Sequence, residues 1–123
     1  MAAVVTAGSF EIAVDEPKSA GGADTGPQPT DIFLASIASC FTLAMAYAAR
    51  KSRIDLPGLS VETIGTYRGQ AFSQIDVLVH SDAPADVVAK LIPVAERVCY
   101  VTNTLRGELT LRIAPAADKP DRP

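Results

Sequence analysis

The sequence has no tryptophan, one histidine and two cysteines, and these shortages narrow the chemistry before any motif is sought. His80, Cys40 and Cys99 are too few to close a four-ligand structural zinc site within one chain. Basic residues are not in excess: 11 Lys and Arg stand against 14 Asp and Glu, for a net charge of −3. Only Arg50, Lys51 and Arg53 cluster, and a helix C-terminus accounts for them, so no nucleic-acid partner is expected. There is no glycine-rich phosphate loop and no nucleophile-elbow motif. No basic segment followed by an apolar one opens the chain, so no signal peptide is read and the cytoplasm is the expected location. In that compartment two cysteines are expected to be reduced at rest.

Charge is also missing from one long internal stretch. From Ile32 to Ala49 run 18 residues without a single charged side chain. Asp31 before this run suits the positive end of a helix dipole, and Arg50 and Lys51 after it suit the negative end. Thr30 or Gln28 can cap the start. The pattern predicts a helix over 30–51, apolar all round, and such a helix belongs inside a protein or a membrane. The length is at the lower edge for a membrane span. Ser36, Ser39, Thr42 and the predominance of alanine favour a buried helix, so no membrane role is expected. One domain of 123 residues can hardly surround such a helix alone, which points to a dimer sharing its core.

The rest of the chain alternates between short extended runs and breaks. Residues 1–8 are small and apolar, and Phe10, Ile12 and Val14 alternate as in a half-buried strand. From Asp15 to Pro29, three prolines and three glycines in 15 residues predict a loop that delivers the chain to the helix. Leu59, Val61 and Thr63, continuing to Tyr67, predict one hairpin strand, and Ile75, Val77 and Val79 predict its partner, with a turn at Arg68-Gly69-Gln70. A second helix opens after Ser81, Asp82 and Pro84 and carries Val88, Ile92, Ala95 and Cys99 on one face. Pro93 is expected to kink or split it. Val101–Gly107 reads as a turn, Leu109, Leu111 and Ile113 as a last strand, and 114–123 as a loose tail. Hairpins with few crossovers mean a single α+β domain over 1–123 with largely antiparallel sheets.

The two cysteines admit two readings. Each can be a small core hydrophobe, the commonest fate of a free thiol. Alternatively they form a redox pair, in which one sulfur attacks an oxidant and the other resolves the product as a disulfide. A thiolate then needs electropositive help, and in an unbroken helix Cys40 lies almost three turns from the dipole's positive end.

Two segments carry a family resemblance. Asp15-Glu16-Pro17, Gly21-Gly22 and Asp24-Thr25-Gly26-Pro27-Gln28-Pro29-Thr30-Asp31, running on through Ala38-Ser39-Cys40 to Tyr47-Ala48-Ala49-Arg50-Lys51, resemble the OsmC/Ohr family of osmotically inducible and organic hydroperoxide resistance proteins. Val98-Cys99-Tyr100-Val101-Thr102-Asn103-Thr104-Leu105-Arg106 is similar to that family's second cysteine segment. The resemblance covers roughly residues 10–113. It implies an intertwined homodimer in which antiparallel sheets from both chains wrap long buried central helices. It further implies reduction of organic hydroperoxides by Cys40 as the attacking thiol, in a helix interrupted nearby, and Cys99 as the resolving one. No bound cofactor is implied, and an external dithiol of the lipoyl type would restore both thiols. Phe33, Ile37 and Phe41, apolar neighbours of Cys40, suit a small organic peroxide.

The sequence departs from the peroxidase pattern in two places. The family's activating arginine comes from an early strand, but no arginine precedes Arg50; Arg53, Arg68 and Arg106 are the candidate substitutes, from this chain or a second. The family's glutamate is replaced by Thr30 with Asp31 beside it, and Asp31 serves equally well as a helix N-terminal acid. These departures keep open an alternative, an OsmC-like module binding a small apolar or thiol-reactive ligand, and a third reading, a structural dimer.

Overall fold

A computed structural model describes residues 1–118. Strands β1 (Ala2–Ala7) and β2 (Phe10–Asp15) form an antiparallel hairpin, with Ala7 opposite Phe10 and Ala2 opposite Asp15. Gly8, at φ 62°, supplies the left-handed turn between them. β1 is exposed along its whole length, including the apolar Val4 and Val5.

The following loop is held from its own first residue. Asp15 is buried, and its carboxylate accepts the N–H of Glu16 at 2.8 Å, of Ala23 at 3.1 Å and of Thr25 at 3.1 Å. The Thr25 hydroxyl donates to the same carboxylate at 2.7 Å. A Cβ at Gly22 would collide with the Glu16 carbonyl, and one at Gly26 with that of Ala13, so the loop closes this tightly only with glycine there.

The loop ends at Gln28, the N-cap of α1 (Pro29–Lys51). Neither Gln28 nor Thr30 caps it through a side chain: Pro29 occupies the first turn, and the Thr30 hydroxyl instead accepts a 3.0 Å hydrogen bond from Tyr67. The hydroxyls within the apolar run are satisfied by the helix itself, Ser36 donating to the Phe33 carbonyl and Thr42 to that of Ala38, both at 2.7 Å. The helix is not buried all round in this chain. Ile37, Phe41, Ala44, Met45, Ala48 and Ala49 are buried, while Phe33, Leu43 and Tyr47 are exposed, Leu43 by 72%. Only 33% of the most apolar window is buried, although by length and composition α1 is the one helix among the described residues that could cross a membrane. It also runs without a break past Cys40, unlike the interrupted helix that the resemblance implied.

Strands β3 (Ser60–Arg68) and β4 (Ala71–His80) form the second antiparallel hairpin, turning at Gly69 and carrying a bulge between Thr66 and Tyr67. The Thr63 hydroxyl donates to the Leu34 carbonyl at 2.9 Å and ties β3 to α1. Helix α2 (Ala85–Val98) starts after Pro84 and places Leu91, Ala95 and the following Cys99 in the core against α1.

Pro93 neither splits α2 nor ends it. Pro93 and Ala89, four residues back, are both exposed, so the carbonyl that loses its partner faces water. The break comes at Cys99, which is extended at φ −85° and ψ 104°. A further helix, α3 (Tyr100–Arg106), takes the place of the expected turn over 101–107. The expected strand at 109–113 is not formed: Leu109, Leu111 and Ile113 alternate in exposed chain, and among the described residues the two sheets hold only β1 with β2 and β3 with β4. A single 3-10 turn at Ala116–Asp118 follows, and the rest of the expected tail lies outside the described residues. The architecture is α+β, with two antiparallel hairpins and three α-helices among the described residues.

Candidate active site

Packing of α1 against the junction of α2 and α3 brings together two cysteines 59 positions apart. Cys99 Sγ lies 3.4 Å from Cys40 Sγ. Both are free thiols, and closing to a disulfide of about 2.05 Å takes a small side-chain movement. The two environments differ. Cys40 sits at the boundary between the buried and exposed faces of α1 and is half-buried. Cys99 is 0% exposed.

Cys99 is the N-cap of α3, with Thr102 three residues on. Burial pushes its thiol pKa up. The Thr102 hydroxyl, the Thr102 N–H, the Cys40 thiol and the Val101 N–H together outweigh burial and hold it below the ordinary thiol range. No side-chain capping bond closes at good geometry. The effect is that of several nearby dipoles, and the Thr102 hydroxyl also lies 3.4 Å from the Cys99 carbonyl, to which it can donate.

A cleft of about 460 Å³ lies between α1, β4, α2 and α3. Ile37 and Phe41 from α1, Val77 from β4 and Ile92 from α2 form its apolar side. Thr102 lines it too; Phe41 follows Cys40 in sequence and Thr102 comes three residues after Cys99, and neither cysteine is itself among the lining residues. At its rim Arg106 pairs with Glu96 at 3.5 Å. Of the three candidate cations, Arg106 alone reaches this cleft; Arg53 lines another, beyond the end of α1, and Arg68 ends β3.

The remaining residues singled out in the sequence fall elsewhere. Phe33 stacks on Phe72, ring centroids 5.9 Å apart, and Phe72 stacks on Tyr67 at 4.6 Å. Phe33 therefore flanks the cleft through Phe72 rather than lining it. Asp31 is exposed in the first turn of α1, nine residues and so roughly 13 Å along the axis from Cys40. His80 pairs with Glu62 at 3.1 Å on the exposed face of the β3–β4 hairpin. Among the described residues no cluster of His, Cys, Asp and Glu could hold a metal ion.

Two functional features went unread in the sequence. The Cys99-Tyr100-Val101-Thr102 spacing is that of an N-cap with a polar third residue, with sulfur in the place of the usual hydroxyl; it was detectable as a helix start. The Asp15 clasp had a weaker signal, an acid followed by Gly, Thr and Gly at turn positions.

The sequence pattern of OsmC-like proteins matches residues 21–114, more than half of the chain and both cysteines. The chain belongs to the OsmC-like family. A Haloferax volcanii protein of uncharacterized function is 28% identical over 115 residues, covering 90% of this chain and 83% of that one. The OsmC-like protein of Mycoplasma pneumoniae superposes with a TM-score of 0.72 at 20% identity, over 86% of this chain and 79% of the other. An organic hydroperoxide resistance protein from Elizabethkingia anophelis superposes with a TM-score of 0.62 at 24% identity, over 86% of each chain. At these identities the two structures show a shared OsmC fold.

Proposed function

We propose that this OsmC-like protein is a thiol-dependent peroxidase that reduces small organic hydroperoxides through a Cys40–Cys99 sulfenic acid–disulfide cycle. The observation that carries the reading is the 3.4 Å separation of the two sulfurs. The Cys40 thiolate attacks the terminal oxygen of the peroxide; the O–O bond breaks, the alkoxide takes a proton and leaves as the alcohol, and Cys40 becomes a sulfenic acid. Cys99 then attacks Cys40 Sγ, forming the S–S bond and releasing the oxygen as water. An external dithiol, of the lipoyl type, takes up the oxidising equivalents and restores both thiols. The apolar cleft at Ile37 and Phe41 suits a hydrocarbon substituent better than hydrogen peroxide.

The working unit in this reading is a cytoplasmic homodimer with no bound cofactor. Leu43 and Tyr47 on α1, Val4, Val5 and Phe10 on the first hairpin, and Leu109, Leu111 and Ile113 are all exposed, apolar side chains that a partner surface would remove from water. A second copy would complete the burial of α1 and cover Leu109, Leu111 and Ile113. Asp31 stays in the reading only as a helix N-terminal acid with a supporting role.

The purified protein is expected to consume cumene hydroperoxide with dihydrolipoamide, and Cys40→Ser to abolish turnover. Undiminished turnover in that variant excludes the cycle. Two features favour the second reading, a ligand-binding module: α1 is unbroken at Cys40, and Arg106, the one arginine lining the cleft, is already paired with Glu96. Binding of an apolar ligand with both thiols still free after peroxide treatment would decide for that module.

A further inference from the structure

The cleft between α1, β4, α2 and α3 offers more than its apolar side. Its volume of about 460 Å³ and its floor of Ile37, Phe41, Val77 and Ile92 are those of a small-molecule site. Ile37 and Phe41 belong to the buried face of α1, so the cleft lies apart from Leu43 and Tyr47, which the proposed second copy covers. Three charged side chains line it as well: Asp76 from β4, Glu96 from α2 and Arg106 from α3. Two carboxylates against one guanidinium leave a net negative charge. Arg106 is engaged by Glu96 at 3.5 Å, and both groups reach solvent. Among the described residues Asp76 pairs with no cation. Its two carboxylate oxygens accept from the Gln74 side-chain amide, at 3.0 and 2.9 Å. That amide orients the half-buried carboxylate and leaves its charge uncompensated.

We propose that this cleft selects its ligand by charge, taking an apolar molecule that bears an ammonium group and turning away one that bears a carboxylate. The inference rests on the reading of the cleft as the place of the organic substituent, and adds the charge that substituent carries. An ammonium head brings N–H donors and a positive charge to Asp76, leaves Glu96 and Arg106 paired, and lets its tail lie on the apolar floor. A carboxylate head has Arg106 alone to turn to, and taking it parts Arg106 from Glu96. Exposed ion pairs are weak, so that loss costs little in itself. What rejects the anion is the like charge of Asp76 and Glu96, which no exchange of partners within the cleft removes. Of two hydroperoxides with equal chains, the aminated one is therefore preferred to the carboxylated one.

The test is an equilibrium measurement on the reduced protein and involves no sulfur chemistry. Octylammonium, octanol and octanoate share one tail and differ in charge at neutral pH. Each is titrated against the uncharged fluorophore N-phenyl-1-naphthylamine bound to the protein. At low ionic strength octylammonium is expected to displace it at concentrations on the order of three- to tenfold below octanol, with octanoate weaker than octanol by a similar factor. Both gaps should narrow in about 1 M salt, where charges are screened within ~3 Å. Asp76→Asn and Glu96→Gln keep the shape of each side chain and remove its charge, and either is expected to draw the three ligands together. The double variant leaves Arg106 as the one charge among the lining residues and should invert the order in favour of octanoate, with octanol unchanged. Octanoate that binds the unaltered protein as tightly as octylammonium, or no displacement by any of the three, overturns the proposal. So does a preference for octylammonium that survives in the double variant, since it would belong to the net charge of the whole chain. Should Cys40 fail to react with hydroperoxide while the three ligands keep the expected order, the peroxidase reading falls and the charge selection stands.

Discussion

Asp15 is a residue whose burial is acceptable only because every lone pair finds a donor. Its carboxylate accepts from three backbone N–H groups and one hydroxyl, which favours the charged form and holds its pKa well below the usual carboxylate range, the Thr25 hydroxyl contributing most. Since the native pKa lies below the unfolded one, the stability it confers is fully present above the ordinary carboxylate pKa of about 4 and is lost as pH falls toward the native value. Asp15→Asn is therefore expected to lower the urea midpoint at pH 7 and to flatten its fall between pH 5 and pH 2. An unchanged acid limb would show that the clasp opens without cost. The same clasp sets the path into α1, so its loss should also loosen the Cys40 helix at its start.

At the level of elements, α2 carries a proline that the fold tolerates rather than uses. Pro93 is exposed in a helix that runs through it, so it removes one hydrogen bond and adds a ring clash without shaping the site. Replacing it with alanine is expected to raise stability by about 1–3 kcal/mol, measured by urea unfolding, with the sulfur pair undisturbed. A loss of stability would mean that the proline sets the angle at which α2 delivers Cys99. Elements with strong periodicity were legible in the sequence: α1 from its charge-free run, β3 and β4 from their alternation around Gly69, and α2 from its apolar face. α3 was not, because Val101, Thr102 and Thr104 are weak helix formers and seven residues show too little periodicity to read. Leu109, Leu111 and Ile113 do alternate like a strand, but among the described residues neither hairpin takes them into its sheet. The site was legible as two cysteines in helical contexts. That Cys99 is the deeply buried one, beside Thr102, required the α2–α3 junction, which no local pattern announced.

For the whole molecule, the exposed apolar face of α1 and the exposed side chains of Leu109, Leu111 and Ile113 are the surfaces that the proposed second copy would cover. The purified protein is expected to sediment as a dimer, and Leu43→Asp to shift it toward monomer with loss of thermal stability. A monomeric native protein would leave Leu43 exposed by 72% without explanation and would remove the shared-core account. The central claim is narrower: two sulfurs from distant parts of the chain act as one redox unit. Its most direct measurement is non-reducing peptide mapping after one equivalent of cumene hydroperoxide. The account predicts a single linked pair, the Cys40 and Cys99 peptides, with Cys40 trapped as a sulfenic acid when Cys99 is replaced by serine. Both thiols recovered free, or Cys99 oxidised while Cys40 stays reduced, would contradict it.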